Sequence, residues 1–224
     1  MVVRFVRRRP QSAAIVQLIV LLNTSIFLYA WLTGAVNEFA FNFGLHPPAV
    51  ALSGEVWRLI TAGFLHASFL HLLFNMYVLW LLGNQLEEIL GHAKFISLYL
   101  IALLGGSTAS YWFSDPASFS VGASGAVFGL MGAFLIVGSR LRQDVSQILV
   151  LIGINVGIGF IVPGIDWRAH LGGLLAGAAV AWFLARKPDL IGRLLAVTGV
   201  LGIFTILQQA VATRTQELLL LFGF

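Results

Sequence analysis

The sequence contains no cysteine and few charged residues. Among its 224 residues there is no Cys, and only 10% are Asp, Glu, Lys or Arg. The absence of cysteine excludes disulfide bonds, thiolate metal sites and a cysteine nucleophile, although it leaves the redox compartment open. Any covalent catalysis must therefore use another side chain.

The scarcity of charge is matched by an excess of apolar residues. Hydrophobic residues make up 59% of the chain, and the mean hydropathy is +0.94. Because a soluble domain of this length does not carry such a composition, the chain is predicted to lie mainly in a membrane. The 24 glycines and 18 phenylalanines are typical of membrane helices, in which small residues allow close packing. The predicted fold class is all-α, a polytopic transmembrane helix bundle.

Seven apolar runs are predicted to be transmembrane helices, for which about 20 residues are needed. They are residues 13–32, 69–86, 95–113, 124–138, 148–162, 169–185 and 190–210. The fourth and fifth runs are short, which indicates helices that begin below the membrane surface with their ends sheltered by protein. Residues 213–224 are interpreted as a short amphipathic tail, and one domain is the simplest organisation.

Basic residues mark one side of the membrane. The net charge of +4 comes from short clusters: the N-terminal arginines, Lys94, Arg140 with Arg142, and Arg186 with Lys187. Because Lys and Arg concentrate in cytoplasmic loops, this side and the basic residues 1–12 are predicted to be cytoplasmic, and nucleic acid is not a predicted partner. The first apolar run is too long for a signal peptide and is kept as a helix. The connection 33–66 then lies on the outer side.

Polar side chains within apolar spans are costly and therefore informative. They are His66, His71 and Asn75 at the second helix, Ser124 in a GASG segment and His170 in an AHLGG segment. His71 and Asn75 are four residues apart and share one helix face. Ser124 and His170 each begin a helix whose start is predicted to face outward. All of these side chains are expected to meet near one depth.

These residue types fit acyl transfer. A serine hydroxyl becomes a good nucleophile when a neutral imidazole takes its proton, and neutral donors must then hold the oxyanion. Ser124 fits the nucleophile and His170 fits the base, while His71 and Asn75 fit the donors. The backbone N–H of Ser124, at a helix start, is predicted to point toward the oxyanion as well.

Glycines explain how two helices could bring a serine and a histidine together. Gly125 with Gly129, and Gly173 with Gly177, each form one GxxxG step, and such faces can pack backbone to backbone. On the sixth helix the two glycines share a stripe with the base. The predicted packing set is completed by Gly122, since the glycines that flank the serine leave its hydroxyl uncrowded.

The order of these motifs resembles the rhomboid family of intramembrane proteases. The likeness runs through residues 57–177 and rests on the Trp57-Arg58 pair, the HLLFN segment at 71–75, Glu87, the GASG segment at 122–125 and the AHLGG segment at 169–173. Each motif alone is modest evidence, and GxSG differs from the hydrolase elbow G-x-S-x-G. What is specific is that five motifs occur in order on the expected helices.

The resemblance implies a fold, an activity and roles for residues. It implies a six-helix catalytic core, placed at residues 13–187, in which Ser124 and His170 form a dyad. His71, Asn75 and the Ser124 amide would form the oxyanion hole, and residues 188–224 look like the extra helix of the six-plus-one bacterial type. The implied protein is a serine endopeptidase of a bacterial inner membrane that cuts transmembrane protein substrates near the outer leaflet, without cofactor or metal.

Simpler interpretations stand beside these. Ser124 alone could ease helix packing, and His66 is placed near the site, not in it. Trp57 and Arg58 are interpreted as a structural, interfacial pair, and Glu87 as a helix-terminal or loop-bracing carboxylate. Asp166, four residues before the base, is interpreted as a helix cap and not as a triad member.

Other function classes are less favoured. Three histidines could suggest a metal, but no carboxylate or thiolate accompanies them and HExxH is absent. A transporter would show inverted repeats or ionised residues in mid-span, and neither is found. The stronger rival is an inactive relative that acts as a membrane chaperone, and the presence of both dyad residues weighs against it.

Overall fold

The computed structural model describes residues 13–162, 164–186 and 189–223. The predicted basic terminus, residues 1–12, and Lys187 lie outside the described residues. Within them the chain forms ten α-helices and one 3-10 turn, with no β-strand. The predicted all-α fold class is therefore confirmed.

The helices follow one another with short connections. They are α1 (Ala14–Leu32), α2 (Val36–Phe43), α3 (Pro47–Ser53), α4 (Arg58–Thr61), the 3-10 turn Ala62–Phe64, α5 (Phe69–Leu90), α6 (His92–Phe113), α7 (Ser124–Arg140), α8 (Ser146–Ile161), α9 (Trp167–Leu184) and α10 (Leu190–Leu221). Three short helices, α2 to α4, thus occupy the connection between the first two predicted spans. A single glycine, Gly91 with φ +81°, separates α5 from α6.

Helix length and composition identify a multi-pass membrane protein. Within the described ranges, α1, α5, α6 and α10 are each long and apolar enough to cross a membrane. The apolar helices α7 and α8 have only 17 and 16 residues, as expected for the two short spans. α9 has 18 residues and packs between α6 and α7.

The centre of the bundle is formed by α6, α7 and α9, which approach one another through glycines. A Cβ on Gly177 would lie 2.5 Å from the carbonyl carbon of Gly129, and one on Gly129 would lie 3.0 Å from the Gly173 oxygen. On the other side of α9, a Cβ on Gly172 would lie 2.5 Å from the oxygen of Gly105 in α6. No side chain larger than hydrogen fits at these positions, so the three backbones pack almost in contact.

The last helix is longer than predicted. It contains 32 residues and continues past residue 210 through most of the segment that the sequence suggests is a tail. At about 1.5 Å per residue it is longer than the hydrocarbon core is thick. Its final turns bind the end of the bundle at which α7 begins, called here the Ser124 end: Leu218 is fully buried, and the Thr215 hydroxyl lies 2.9 Å from that of Tyr111.

Candidate active site

Ser124 is the first residue of α7, and the loop before it is held on both sides. Gly122 has φ +132°, a conformation that favours glycine, and its N–H donates to the Ala62 oxygen at 2.9 Å. Two residues earlier, Ser120 pairs with Leu45 in an isolated antiparallel bridge. The chain thus enters α7 from a fixed direction, with the serine at the helix N-terminus.

His71 shares the space beside Ser124. A Cβ placed on Gly122 would lie 2.7 Å from both Cε1 and Nε2 of His71 and 3.6 Å from the Ser124 Oγ. The imidazole of α5 therefore packs against Gly122 with the hydroxyl of α7 close by, and only a glycine at position 122 leaves room for that ring. The contact with His71 is thus a steric reason for a glycine here, in addition to its backbone conformation.

Asn75 lies one turn further along α5 and is buried. Its side-chain amide donates to the His71 carbonyl oxygen at 2.9 Å. Because a primary amide carries two N–H groups, one remains for a second acceptor. The local i to i+4 relation predicted from the sequence is therefore also a direct hydrogen bond between these two residues.

His170 lies in the first turn of α9 and is 7% exposed. Its ring stacks on the ring of Phe128, with centroids 4.2 Å apart and an interplanar angle of 8°. Its Nδ1 is buried without a hydrogen-bond partner. Aromatic stacking thus fixes the plane of the imidazole, and the motifs do not reveal this contact with Phe128, one turn after Ser124.

The backbones next to the serine and the histidine approach closely. A Cβ on Gly173 would lie 2.6 Å from the carbonyl carbon of Gly125. On α6, a Cβ on Gly106 would lie 2.8 Å from the Ala169 oxygen and 3.0 Å from the Gly125 Cα. Three helices, not the two predicted, therefore meet behind the site; the run of small residues after Gly105 in α6 was the available signal.

The structure brings these side chains to one region without joining all of them. No hydrogen bond links Ser124 to His170 in the part of the chain that the structure describes. A cavity borders Ser124 and is lined also by Ser107 and Ser120. The serine therefore has partly polar space beside it that is large enough for a water molecule.

His66 precedes α5 and supports His71. The two rings meet edge to face with centroids 5.0 Å apart, and both ring nitrogens of His66 are buried without a partner. Burial, and to a smaller extent the neighbouring His71, lower the pKa of His66 to about 3. The ring is therefore neutral near pH 7, which makes it a packing partner beside the site.

The three residues predicted to be structural make many contacts. The Arg58 guanidinium donates to the carbonyl oxygens of Phe41 at 2.9 Å and Gly44 at 2.8 Å, and it pairs with Glu55. Trp57 lies against it, with the guanidinium carbon 4.9 Å from the ring centroid. These contacts tie α2 to α4, the helices that flank the Ser124 end.

At the opposite end of α5, the buried Glu87 binds the start of α1. Its two carboxylate oxygens accept the backbone N–H groups of Ile15 and Val16, each at 2.9 Å, and one oxygen also contacts the His92 ring. This carboxylate therefore satisfies N–H groups that the first turn of a helix leaves unpaired.

Comparison with known proteins shows which family the sequence resembles. The family model for the Rhomboid domain matches residues 53–187. The chain is 41% identical over 150 residues to Rhomboid protease GluP of Bacillus subtilis (strain 168), covering 64% of this chain and 29% of that protein. It is 36% identical over 143 residues to Putative rhomboid protease YdcA of the same strain, covering 61% and 71%.

A plant protein is similar to the same extent. RHOMBOID-like protein 6, mitochondrial, of Arabidopsis thaliana is 42% identical over 148 residues, which cover 62% of this chain and 47% of that protein. The matched region spans less than half of the length of this relative and of GluP. The similarity therefore concerns the helical domain that carries the site.

Proposed function

The chain belongs to the rhomboid family, and on that basis we propose that it is an intramembrane serine endopeptidase that hydrolyses transmembrane proteins near the outer leaflet. Ser124 and His170 act as the dyad. The observation that carries this proposal is the approach of the Ser124 hydroxyl and the His71 ring to the same side of Gly122, with His170 on the helix packed against α7. Relatives named rhomboid proteases support the hydrolase class.

The proposed reaction begins at Ser124. Its Oγ attacks the carbonyl carbon of the scissile peptide bond while His170 takes the hydroxyl proton. The carbonyl oxygen becomes an oxyanion, which accepts hydrogen bonds from the Ser124 amide, the His71 ring and the free N–H of Asn75. In this reaction the Ser124–His170 contact tightens when substrate binds, as catalytic hydrogen bonds often do.

Collapse of the intermediate breaks the C–N bond, and His170 gives its proton to the departing amine. This leaves an ester between Ser124 and the substrate acyl group. A water molecule then attacks the ester while His170 takes one of its protons, and return of that proton to Oγ releases the carboxylic acid. The imidazole thus alternates between base and acid, and no carboxylate partner is needed.

The proposed topology follows the basic residues. The Arg140 end of the bundle, with the N-terminus, faces the cytoplasm, and the Ser124 end faces outward. The catalytic core is placed at residues 13–187, and residues 188–224 add a seventh crossing. Water reaches Ser124 from the outer face, under the helices α2 to α4, while the substrate helix enters from the bilayer.

Labelling with a serine-reactive fluorophosphonate tests the nucleophile. Purified wild-type protein in detergent should be labelled, whereas Ser124→Ala should not be, and Ser124→Ala should also fail to cut a model transmembrane substrate. Ser139→Ala, which removes an exposed serine at the far end of the same helix, is the matched control and should be labelled normally. If Ser124→Ala is labelled, or cuts the substrate, as well as the wild type does, the assignment is refuted. If the wild-type protein is not labelled, the inactive chaperone is favoured.

The position of the cut tests the topology. An intact helix holds its carbonyls in intrahelical hydrogen bonds, which must break before attack. We therefore expect mass spectrometry to locate the cut at the outer-leaflet end of the substrate, and Gly or Pro placed near that end should accelerate it. A cut at the cytoplasmic end, or equal rates for a helix-stabilised substrate, would contradict this orientation.

A further inference from the structure

Asp166 makes more contacts than a helix cap needs. Its Oδ1 accepts the backbone N–H of Ala169 at 3.1 Å, which caps α9. Its Oδ2 accepts two further hydrogen bonds, one from the Ser110 hydroxyl near the end of α6 and one from the Ser120 hydroxyl at 2.8 Å. One carboxylate thus links three segments that are distant in the sequence.

Two of these segments lead directly into the proposed dyad. Ser120 lies four residues before Ser124, and Asp166 lies four residues before His170. The hydrogen bond between Ser120 and Asp166 therefore joins the entry of α7 to the entry of α9. The backbone of Ser120 is meanwhile paired with Leu45 at 3.0 Å and 2.9 Å, so the side chain and the main chain of one residue fix the loop from two sides.

Asp166 is not arranged as the third member of a triad. The His170 Nδ1 has no hydrogen-bond partner, and all three donors that reach the Asp166 carboxylate come from other residues. The carboxylate therefore makes no hydrogen bond to the imidazole ring, and its hydrogen bonds hold the backbone that leads to the histidine.

We propose that Asp166, with Ser110 and Ser120, is a positioning cluster that sets the separation of Ser124 and His170. This inference rests on the proposed hydrolase function. Removing the carboxylate breaks the link between the loop at Ser120 and the first turn of α9, so the two reacting groups shift relative to each other. A displacement on the order of 1 Å at a catalytic group can lower the rate by about 100-fold.

The rate of fluorophosphonate labelling per folded molecule measures this positioning without a substrate. Asp166→Ala should lower that rate by tenfold or more, on the order expected for a sub-ångström displacement. Asp166→Asn should restore most of it, because its oxygen can cap Ala169 while its amide donates to the two serine hydroxyls.

Ser120→Ala removes one arm of the cluster and leaves the backbone bridge to Leu45. It should lower the labelling rate several-fold, and the double variant with Asp166→Ala should be no slower than Asp166→Ala alone, because both changes remove the same contact. Asp189→Ala is the matched control: this aspartate caps α10 through Gly192 at 2.7 Å and has no tie to the loop. It should lower thermal stability only.

The outcomes separate the two proposals. If the wild type is labelled and Asp166→Ala is labelled at the same rate, the positioning role is wrong while the hydrolase stands. If Asp166→Asn is as slow as Asp166→Ala, the charge acts on His170 and a triad replaces the positioning cluster. If Asp166→Ala does not fold, the Ser120→Ala rate decides. An unlabelled wild type would remove the proposed function, and this inference with it.

Discussion

Gly173→Ala tests the closest approach between the helices that carry the proposed dyad. Its Cβ would lie 2.6 Å from the carbonyl carbon of Gly125 and 3.0 Å from its Cα. Carbon atoms pack at about 3.5–4.0 Å, so α9 and α7 would have to separate by about 1 Å. Both partners are backbone atoms of helices, so no side chain can rotate out of the way.

This separation has two measurable consequences. Overpacking of a tight core costs typically about 1–3 kcal/mol, and we expect Gly173→Ala to lower the stability by an amount in that range. Because Gly125 follows Ser124 and Gly173 lies one turn after His170, the same shift falls on the reacting groups. Misplacement by about 1 Å can reduce the rate by about 100-fold, and Gly173→Val should be worse.

The assay combines thermal unfolding in detergent with cleavage of a transmembrane substrate. Gly157→Ala in α8 is the matched control, because a Cβ there meets nothing within 4 Å and alanine favours a helix; it should keep full activity and stability. If Gly173→Ala unfolds at the wild-type temperature and cuts at the wild-type rate, then α7 and α9 do not meet at these glycines and the packing argument fails.

Two further changes test contacts outside the proposed dyad and oxyanion hole. Glu87→Gln replaces one acceptor oxygen by a donor amide facing the N–H groups of Ile15 and Val16. Thermal unfolding should therefore show a loss of stability of about 1–3 kcal/mol. The rate of fluorophosphonate labelling per folded molecule should stay unchanged. Truncation after Ala210 removes the Thr215 and Leu218 contacts and should speed limited proteolysis of the connection 33–66. Truncation after Leu219 keeps both contacts and should not speed it. Equal proteolysis of the two truncated proteins would contradict the role given to the end of α10.

Much of the fold was predictable because a membrane helix can be recognised from a local run of apolar residues. Apolar runs of sufficient length become helices, since the backbone has no other partner in hydrocarbon. The end of α10 could not be placed this way, because Arg214 and Glu217 indicate an exit from the membrane but do not end a helix. Tertiary contacts instead determine where α10 ends. The indole of Trp112 donates to the Ala210 oxygen at 2.8 Å, and Leu218 is buried further along the helix.

In the site, too, contacts within one helix could be predicted from the sequence, whereas contacts between helices could not. The i, i+4 pair His71 and Asn75 is fixed by helix geometry, so its shared face follows from spacing alone. Phe128 also lies four residues after Ser124, but its function is to stack on His170, a residue of another helix. Spacing places that ring on the correct face of α7 without revealing its partner.

The serines that hold Asp166 lie beyond any local rule. They are 56 and 46 residues away from it in the chain, and a serine in a membrane helix or loop has many possible hydrogen-bond partners. The sequence signal was confined to Asp166 itself, as a cap residue before an apolar helix. A helix cap uses only one of the two carboxylate oxygens of an aspartate. The other oxygen, here Oδ2, needs hydrogen-bond donors as well, because an unpaired polar atom in an apolar environment is costly. A half-buried capping aspartate in a membrane protein should therefore prompt a search for donors on neighbouring helices, and here that search leads to the loop that positions Ser124.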